Sequence, residues 1–303
     1  MSEEQKEILQ LLADKSITVE EAERLLGALA DGQRRREATD APGSERKRGV
    51  QEVITSVRDT LSEIGPAIRD LVGDSTDDFG DQESGTSMPI SPIPLPAGSR
   101  LIIKNDRYRG RSGGDLSIEG ADVEQCEFLG GRLRNLRIHP DPRGATIRWS
   151  GGHLRLRVPA NLGELTATTM GGDIEVDGLA CPLAVKSMGG DLDLCGLSRE
   201  FKAKTMGGAV NLILTREWAG DSSAVTMGGN INATVFEAME ATRVQAETLG
   251  GQIEIRDRLE APPTHSTSGV HRTVIQIGNG NPSSHLKLKT MGGNITLRKV
   301  NDE

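Results

Sequence analysis

A Gly-Gly pair recurs through the last two thirds of the chain, and its spacing constrains the fold more than any other feature. Six copies are close: LTATTMGGDIEVD ending at Asp177, VKSMGGDLDL at Leu194, KAKTMGGAVNL at Leu212, VTMGGNINA at Ala233, QAETLGGQIEI at Ile255 and LKTMGGNITL at Leu297. Looser copies surround Gly113-Gly114, Gly130-Gly131 and Gly151-Gly152. Successive pairs are 17, 21, 20, 18, 18, 21 and 22 residues apart, then 42, with Ser268-Gly269 where a worn copy would fall. Self-similarity near twenty residues marks a stacked repeat architecture, in which each unit buries its apolar face only against its neighbours.

Alternation identifies the unit. The sixth position before each pair holds Leu165, Leu183, Phe201, Ser222, Val244 and Leu286, and the fourth holds Ala167, Val185, Ala203, Ala224, Ala246 and Leu288. After the pair, Ile174, Leu192, Val210, Ile231, Ile253 and Ile295 align, followed two residues on by Val176, Leu194, Leu212, Ala233, Ile255 and Leu297. Apolar residues two apart give a strand with one buried face. Each unit is then two short strands broken at a Gly-Gly corner, where backbone angles closed to other residues are open. The expected fold is mainly β: a β-solenoid of roughly 20-residue Gly-Gly repeats over residues 88–303, preceded by a short N-terminal helical region. Ten or so layers at about 4.8 Å each would make a rod about 50 Å long.

Residues 1–32 read as a helical pair and an association module. Ser2 with Gln5 and Thr18 with Glu21 fit capping boxes, Ile8, Leu9, Leu11 and Leu12 make one apolar stripe, and Ala22, Leu25, Leu26 and Leu29 make a second. Two such helices bury too little surface to stand alone, so they are expected to dimerise or dock. Residues 33–87 read as a linker carrying an amphipathic helix at about 50–72. In it Ile54, Val57, Leu61, Ile64, Ile68 and Leu71 recur at three and four residues, and Pro66 would kink or end the helix. This stripe fits a protein surface. A membrane surface is the alternative, but it asks for a basic polar face, and Glu52, Asp59, Glu63 and Asp70 offset Arg58 and Arg69.

The stretch Glu3 to Leu26, EEQKEILQLLADKSITVEEAERLL, resembles the small N-terminal domain of LiaX/YvlB-type bacterial proteins. The TMGGDIEV repeats resemble the adhesin-like β-strand-repeat region that follows it in that family. The resemblance covers nearly the whole chain, least well at the middle helix. It implies a bacterial, non-enzymatic protein tied in some members to envelope stress, and it supplies no catalytic residues.

Searching the residues for chemistry leads to the same class. Asp173 and Asp191 follow Gly-Gly as in calcium-binding nonapeptide repeats, but the period is twice too long and Ala209, Asn230 and Gln252 stand at equivalent positions. A ladder of Asp, Asn and Gln hydrogen-bonding from layer to layer explains them better. Thr169, Ser187, Thr205, Thr226, Thr248 and Thr290 form a second column, whose hydroxyls can satisfy corner backbone groups. Met170, Met188, Met206, Met227, Leu249 and Met291 form an apolar column beside it, suited to corner packing or to pliable contact with apolar peptides. A polysaccharide-active enzyme would need a paired acid and base. Asp173, Glu175, Asp191 and Asp193 do cluster, but every repeat offers such outward positions, and the five histidines share no repeat position. Three cysteines at no metal-ligand spacing leave no cofactor or metal motif.

Charge and composition narrow the partners. A net charge of −8 disfavours nucleic acid, and 2% aromatic residues disfavours a sugar-stacking groove. No signal-peptide core follows Met1, and no apolar run reaches membrane-span length, so a cytoplasmic location is expected, peripheral to the inner face of the membrane by the resemblance. Residues 100–160 hold 12 Lys/Arg against 7 Asp/Glu, and residues 161–260 hold 8 against 15. Arg132, Arg134, Arg137, Arg155 and Arg157 make a basic start to the rod, and four of them (Arg132, Arg134, Arg155 and Arg157) join the 54–71 stripe as candidate partner-binding residues. Open solenoid ends are strand edges that need caps, for which the N-terminal helices and the pair Arg298 and Lys299 are candidates. The expected function is a non-enzymatic binding scaffold that contacts protein or itself. The alternative is a polymer assembling end to end through solenoid edges.

Overall fold

The computed structural model describes residues 91–105, 114–130, 133, 135–236, 239, 241–256, 265–267, 270–278 and 281–300. The expected helical pair at 1–32, the linker and amphipathic helix within 33–87, Arg132, Arg134 and Ser268-Gly269 lie outside these residues.

The described residues are mainly β. The first group of strands is β1 (Ile93–Pro94), β2 (Arg100–Asn105), β3 (Leu116–Ala121), β4 (Gln125–Gly130), β5 (Arg137–Asp141), β6 (Gly144–Trp149) and β7 (Leu154–Pro159). Four regular pairs follow: β8 (Glu164–Thr169) with β9 (Ile174–Asp177), β10 (Leu183–Ser187) with β11 (Leu192–Leu197), β12 (Phe201–Thr205) with β13 (Val210–Leu214), and β14 (Asp221–Thr226) with β15 (Ile231–Phe236). The last group is β16 (Thr242–Thr248), β17 (Ile253–Arg256), β18 (His265–Thr267), β19 (Val270–Ile277), β20 (Ser284–Thr290) and β21 (Ile295–Val300).

These strands build two long sheets in a solenoid-like arrangement. One has ten strands in the order β1-β4-β7-β3-β9-β11-β13-β15-β21-β17, and the other eleven in the order β18-β19-β16-β20-β14-β12-β10-β8-β2-β6-β5. Within each regular pair the first strand joins the eleven-stranded sheet and the second the ten-stranded sheet. Each pair therefore crosses from one sheet to the other at its corner. Equivalent positions meet in register: Leu183 pairs with Leu165 and Phe201, and Leu192 with Ile174 and Val210. The residues facing inward form one continuous core, with Trp149, Trp218 and Phe201 as its largest buried members. The second glycine of each pair is forced by this stacking. A Cβ on Gly190, Gly208 or Gly229 would collide with the backbone carbonyl of Gly172, Gly190 or Gly208 in the layer beside it. The first glycine has room, with the nearest atom 3.8 Å from a Cβ built on Gly207.

Stacking does not follow chain order at the ends. β20 lies between β14 and β16, pairing Leu286 with both Ser222 and Val244, and β21 lies between β15 and β17. At the other end β2 lies between β6 and β8, and β3 between β7 and β9. Like repeats present like edges, so alternation fixes which face is buried without fixing which layer is next. Three sequence expectations change accordingly. Gly130 is no stacking corner, because β4 runs antiparallel to β7. The strands flanking Ser268-Gly269 form an antiparallel pair, β18 with β19, and β19 is antiparallel to β16, so a cap stands where a worn coil was expected. Arg298 and Lys299 sit on β21 inside the ten-stranded sheet and blunt no edge. Antiparallel β5 on β6 closes the opposite end of the eleven-stranded sheet.

Candidate interaction faces

The corner columns are tied into the backbone. Thr205 Oγ1 donates to the Gly190 carbonyl at 3.0 Å and accepts from the Gly208 amide at 3.3 Å. Thr226, Thr290 and Thr248 repeat this, donating at 2.9 Å to Gly208, Gly229 and Gly293 and accepting at 3.1 Å from Gly229, Gly293 and Gly251. Each buried hydroxyl thus links two layers. Asn105, paired in register with Trp149, follows the Lys104–Thr168 pair at the same level of the stack. Both polar side-chain atoms of Asn105 are buried and lack a hydrogen bond.

The outer side of the ten-stranded sheet carries the Asp/Asn column. Asp173 Oδ1 accepts from the Asp191 amide at 2.8 Å, Asp191 Oδ1 from the Ala209 amide at 2.7 Å, and Asp115 Oδ1 from the Asp173 amide at 3.2 Å. Asn230 and Asn294 continue it beyond Ala209, which has no side chain to contribute. Glu175 and Asp193 are register neighbours, and Asp193 Oδ1 accepts from Asn211 Nδ2 at 2.6 Å. These carboxylates are therefore laid out in two parallel columns along the stack, one of each column per layer. Among the described residues no His/Cys/Asp/Glu group is arranged to hold a metal ion.

The two described arginines of the candidate set share the outer side of β7. Arg155 is exposed. Arg157 is bridged to Glu119 of β3 at 3.2 Å and to Glu127 of β4 at 3.7 Å, which ties the antiparallel cap to the first parallel layer. The structure does not bring them together with Arg137, which lies on β5 of the other sheet.

The outer side of the eleven-stranded sheet is basic. One outward row reads, across the strands from one end, Arg137, Arg148, Lys104, Thr168, Lys186, Lys204, Val225, Lys289 and Glu247. Beside it runs the methionine column. Met206 and Val225 form a buried cluster apart from the main core, with Met188 and Met227 packed on it. Lys289 Nζ lies 3.4 Å from Glu247 Oε1, with only 3% of the lysine side chain exposed. Charge is thus sorted across the two faces, where counting along the chain suggests sorting along its length. The column just before each repeat's Ser/Thr is the sequence signal that reveals the lysine row.

Two thiols are buried in the core. Burial pushes Cys126 up to about 12 and Cys181 up to about 11, with smaller contributions from Glu127 and Glu164 respectively. Cys195, half-buried on β11, is raised by burial and then by Asp177, Asp193 and Glu175. None is activated as a nucleophile, which needs a lowered pKa.

No curated protein matches the chain. Among solved structures, a candidate cell adhesion protein from Clostridium sporogenes is similar at 11% identity and a TM-score of 0.39, covering 69% of this chain and 100% of its own. A candidate adhesin from Bacteroides fragilis is similar at 12% identity and a TM-score of 0.32, covering 71% and 99%. Residues 109–298 match the model of one family across the parallel stack, and the chain belongs to that family, Toastrack DUF4097.

Proposed function

We propose that the protein is a non-enzymatic binding scaffold, and that its domain is a β-solenoid in which each roughly 20-residue Gly-Gly unit is one coil. The observation that carries this reading is the pair of broad, oppositely charged side faces on one continuous core. A lysine and methionine face lies on one side and a carboxylate-rich face on the other. Flat faces of opposite sign suit docking of macromolecules, and they steer encounter with charged partners. The carboxylates that could suggest a hydrolase are instead hydrogen-bonded along the stack. In this reading residues 1–32 assemble the chain, and exposed Arg155, with Arg132 and Arg134, serves partner contact at one end. A role in the bacterial envelope-stress response, at the inner face of the membrane, rests on the LiaX/YvlB resemblance.

The test is the light-scattering mass of the full chain over a concentration series. A scaffold assembled by its N-terminal helices gives one discrete oligomer, lost on Leu25→Glu/Leu29→Glu. Filaments that lengthen with concentration would transfer the reading to end-to-end assembly. Turnover of any member of a polysaccharide panel, abolished by Asp173→Asn or Asp191→Asn, would replace both with an enzyme.

A further inference from the structure

We propose that the apolar stripe of residues 54–71 lies along the methionine row on the outer face of the eleven-stranded sheet, with the acids of residues 51–84 against the lysine row. The scaffold reading is deepened by this, since it assigns the middle helix to the chain's own solenoid and leaves residues 1–32 for assembly.

Burial on that face is the first support. Val225 and Lys289 point outward from their strands, yet they are 0% and 2% exposed. An outward row on an uncovered sheet stays partly exposed, because only its neighbours on the same face screen it. The apolar patch of Met188, Met206, Val225 and Met227 is separate from the core and runs across the layers, along the stack.

Charge is the second. Residues 51–84 contain nine Asp/Glu and two Arg, so they hold −7 of the chain's net −8. The face they would meet carries Lys186, Lys204 and Lys289 in one row, with Lys287 on the next row. The opposite face, with Asp173, Glu175, Asp191 and Asp193, would repel the same segment.

Dimensions agree. Ile54 to Leu71 spans about 26 Å as a helix. The six column positions from Met170 to Leu249 span five layer steps, about 24 Å. Even the part before Pro66, Ile54 to Ile64, is about 15 Å long and covers three layers. The 22 residues from Leu71 to Ile93 have a mean reach of about 25 Å, enough to bring the stripe to the middle of the stack at high effective concentration. Met suits such a seat because its unbranched side chain adapts to a helix surface.

The test places a photoreactive residue in the full chain, Met206→p-benzoylphenylalanine, with Ile213 on the opposite face replaced in the same way as a control. Irradiating a mixture of isotope-labelled and unlabelled chains separates contacts within a chain from those between chains. The expected result is a cross-link from position 206 to residues 54–71 of the same chain, none from position 213, and at least a tenfold loss in Lys186→Glu/Lys204→Glu. Restored yield when Asp59→Lys/Glu63→Lys is added would confirm the charge pairing. Cross-links from position 206 to another segment, to a second copy, or to lipid when anionic phosphatidylglycerol vesicles are present would overturn the proposal. So would no cross-link at all, or a yield unchanged by the lysine reversals. The readout does not depend on oligomer mass, so it can fail while the scaffold reading stands.

Discussion

From Glu164 to Phe236 the chain lays down four strand pairs in order, whereas at both ends it doubles back and threads a strand pair between two others. In the middle, register partners are 18 or 21 residues apart, as in Leu165 with Leu183 and Ala203 with Ala224. At the C-terminal end Asp221 and His285, paired across β14 and β20, are 64 apart. The local contacts of the middle close small loops. Those of the ends close large ones and form late, because the chain must order the loop before the pairing rewards it. A regular middle can be built layer by layer, while the ends hold only when the whole chain is in place.

The largest effect should come from removing the threaded coil. A chain ending before Ser284 loses β20 and β21 and leaves β14, β15, β16 and β17 without their shared neighbour. Loss of cooperative thermal unfolding is expected, whereas removing the two-residue edge strand β1 should shift the midpoint by only a few degrees. Next come the corners. Gly208→Ala drives a Cβ into the Gly190 carbonyl and should cost about 1–3 kcal/mol or more, against about 0.5 kcal/mol or less for Gly207→Ala, by denaturant titration. If Gly251→Ala at the end costs as much as Gly208→Ala, the two regions share one corner geometry.

High pH should separate the regions by a different route. A thiol held at about 12 in the fold and near 9 when unfolded favours the fold while it is protonated. Its contribution is whole below pH 9 and falls by about 1.4 kcal/mol per unit as the pH rises from 9 to 12. Cys181 adds the same trend up to about 11. Hydrogen exchange at pH 10 should therefore open β4 and its neighbours first, and Cys126→Ala should remove much of the slope. The hydroxyl column offers a smaller contrast. Thr226→Val removes one donor and one acceptor in the middle and should cost about 1–3 kcal/mol, whereas Asn105→Thr at the end replaces unbonded polar atoms and should gain about 1 kcal/mol. Smallest is Ala209→Asn, which bridges the gap in the Asp/Asn column and should raise stability by about 0.5 kcal/mol.

Much of the middle is legible in the sequence, since two-residue alternation and a fixed period determine which side chains meet. Leu165, Leu183 and Phe201 align in the repeat and meet in register. The ends are not legible, because Leu286 fits beside Ser222 as well as beside Val244 and ends up between them. The Thr and Asp columns are readable as ladders because their chemistry is local to the corner. The lysine row is harder to see: Lys186, Lys204 and Lys289 are scattered through a stretch in which acids and bases balance, and only aligning the repeats on the position before the corner Ser/Thr puts them in line. Arg298 and Lys299 show the same limit from the other side, because lying on the last described strand does not put them at an edge.

A stack whose last described strand lies inside it grows differently from an ordinary repeat array. Ordinary repeat arrays lengthen when a terminal unit is duplicated, because the new copy docks on the old edge. Here a duplicate added after Val300 would follow β21, whose two edges are already paired to β15 and β17. Docking of such a copy on its parent strand is closed off by the threading, and insertion among the regular middle pairs is the simpler way to lengthen the stack.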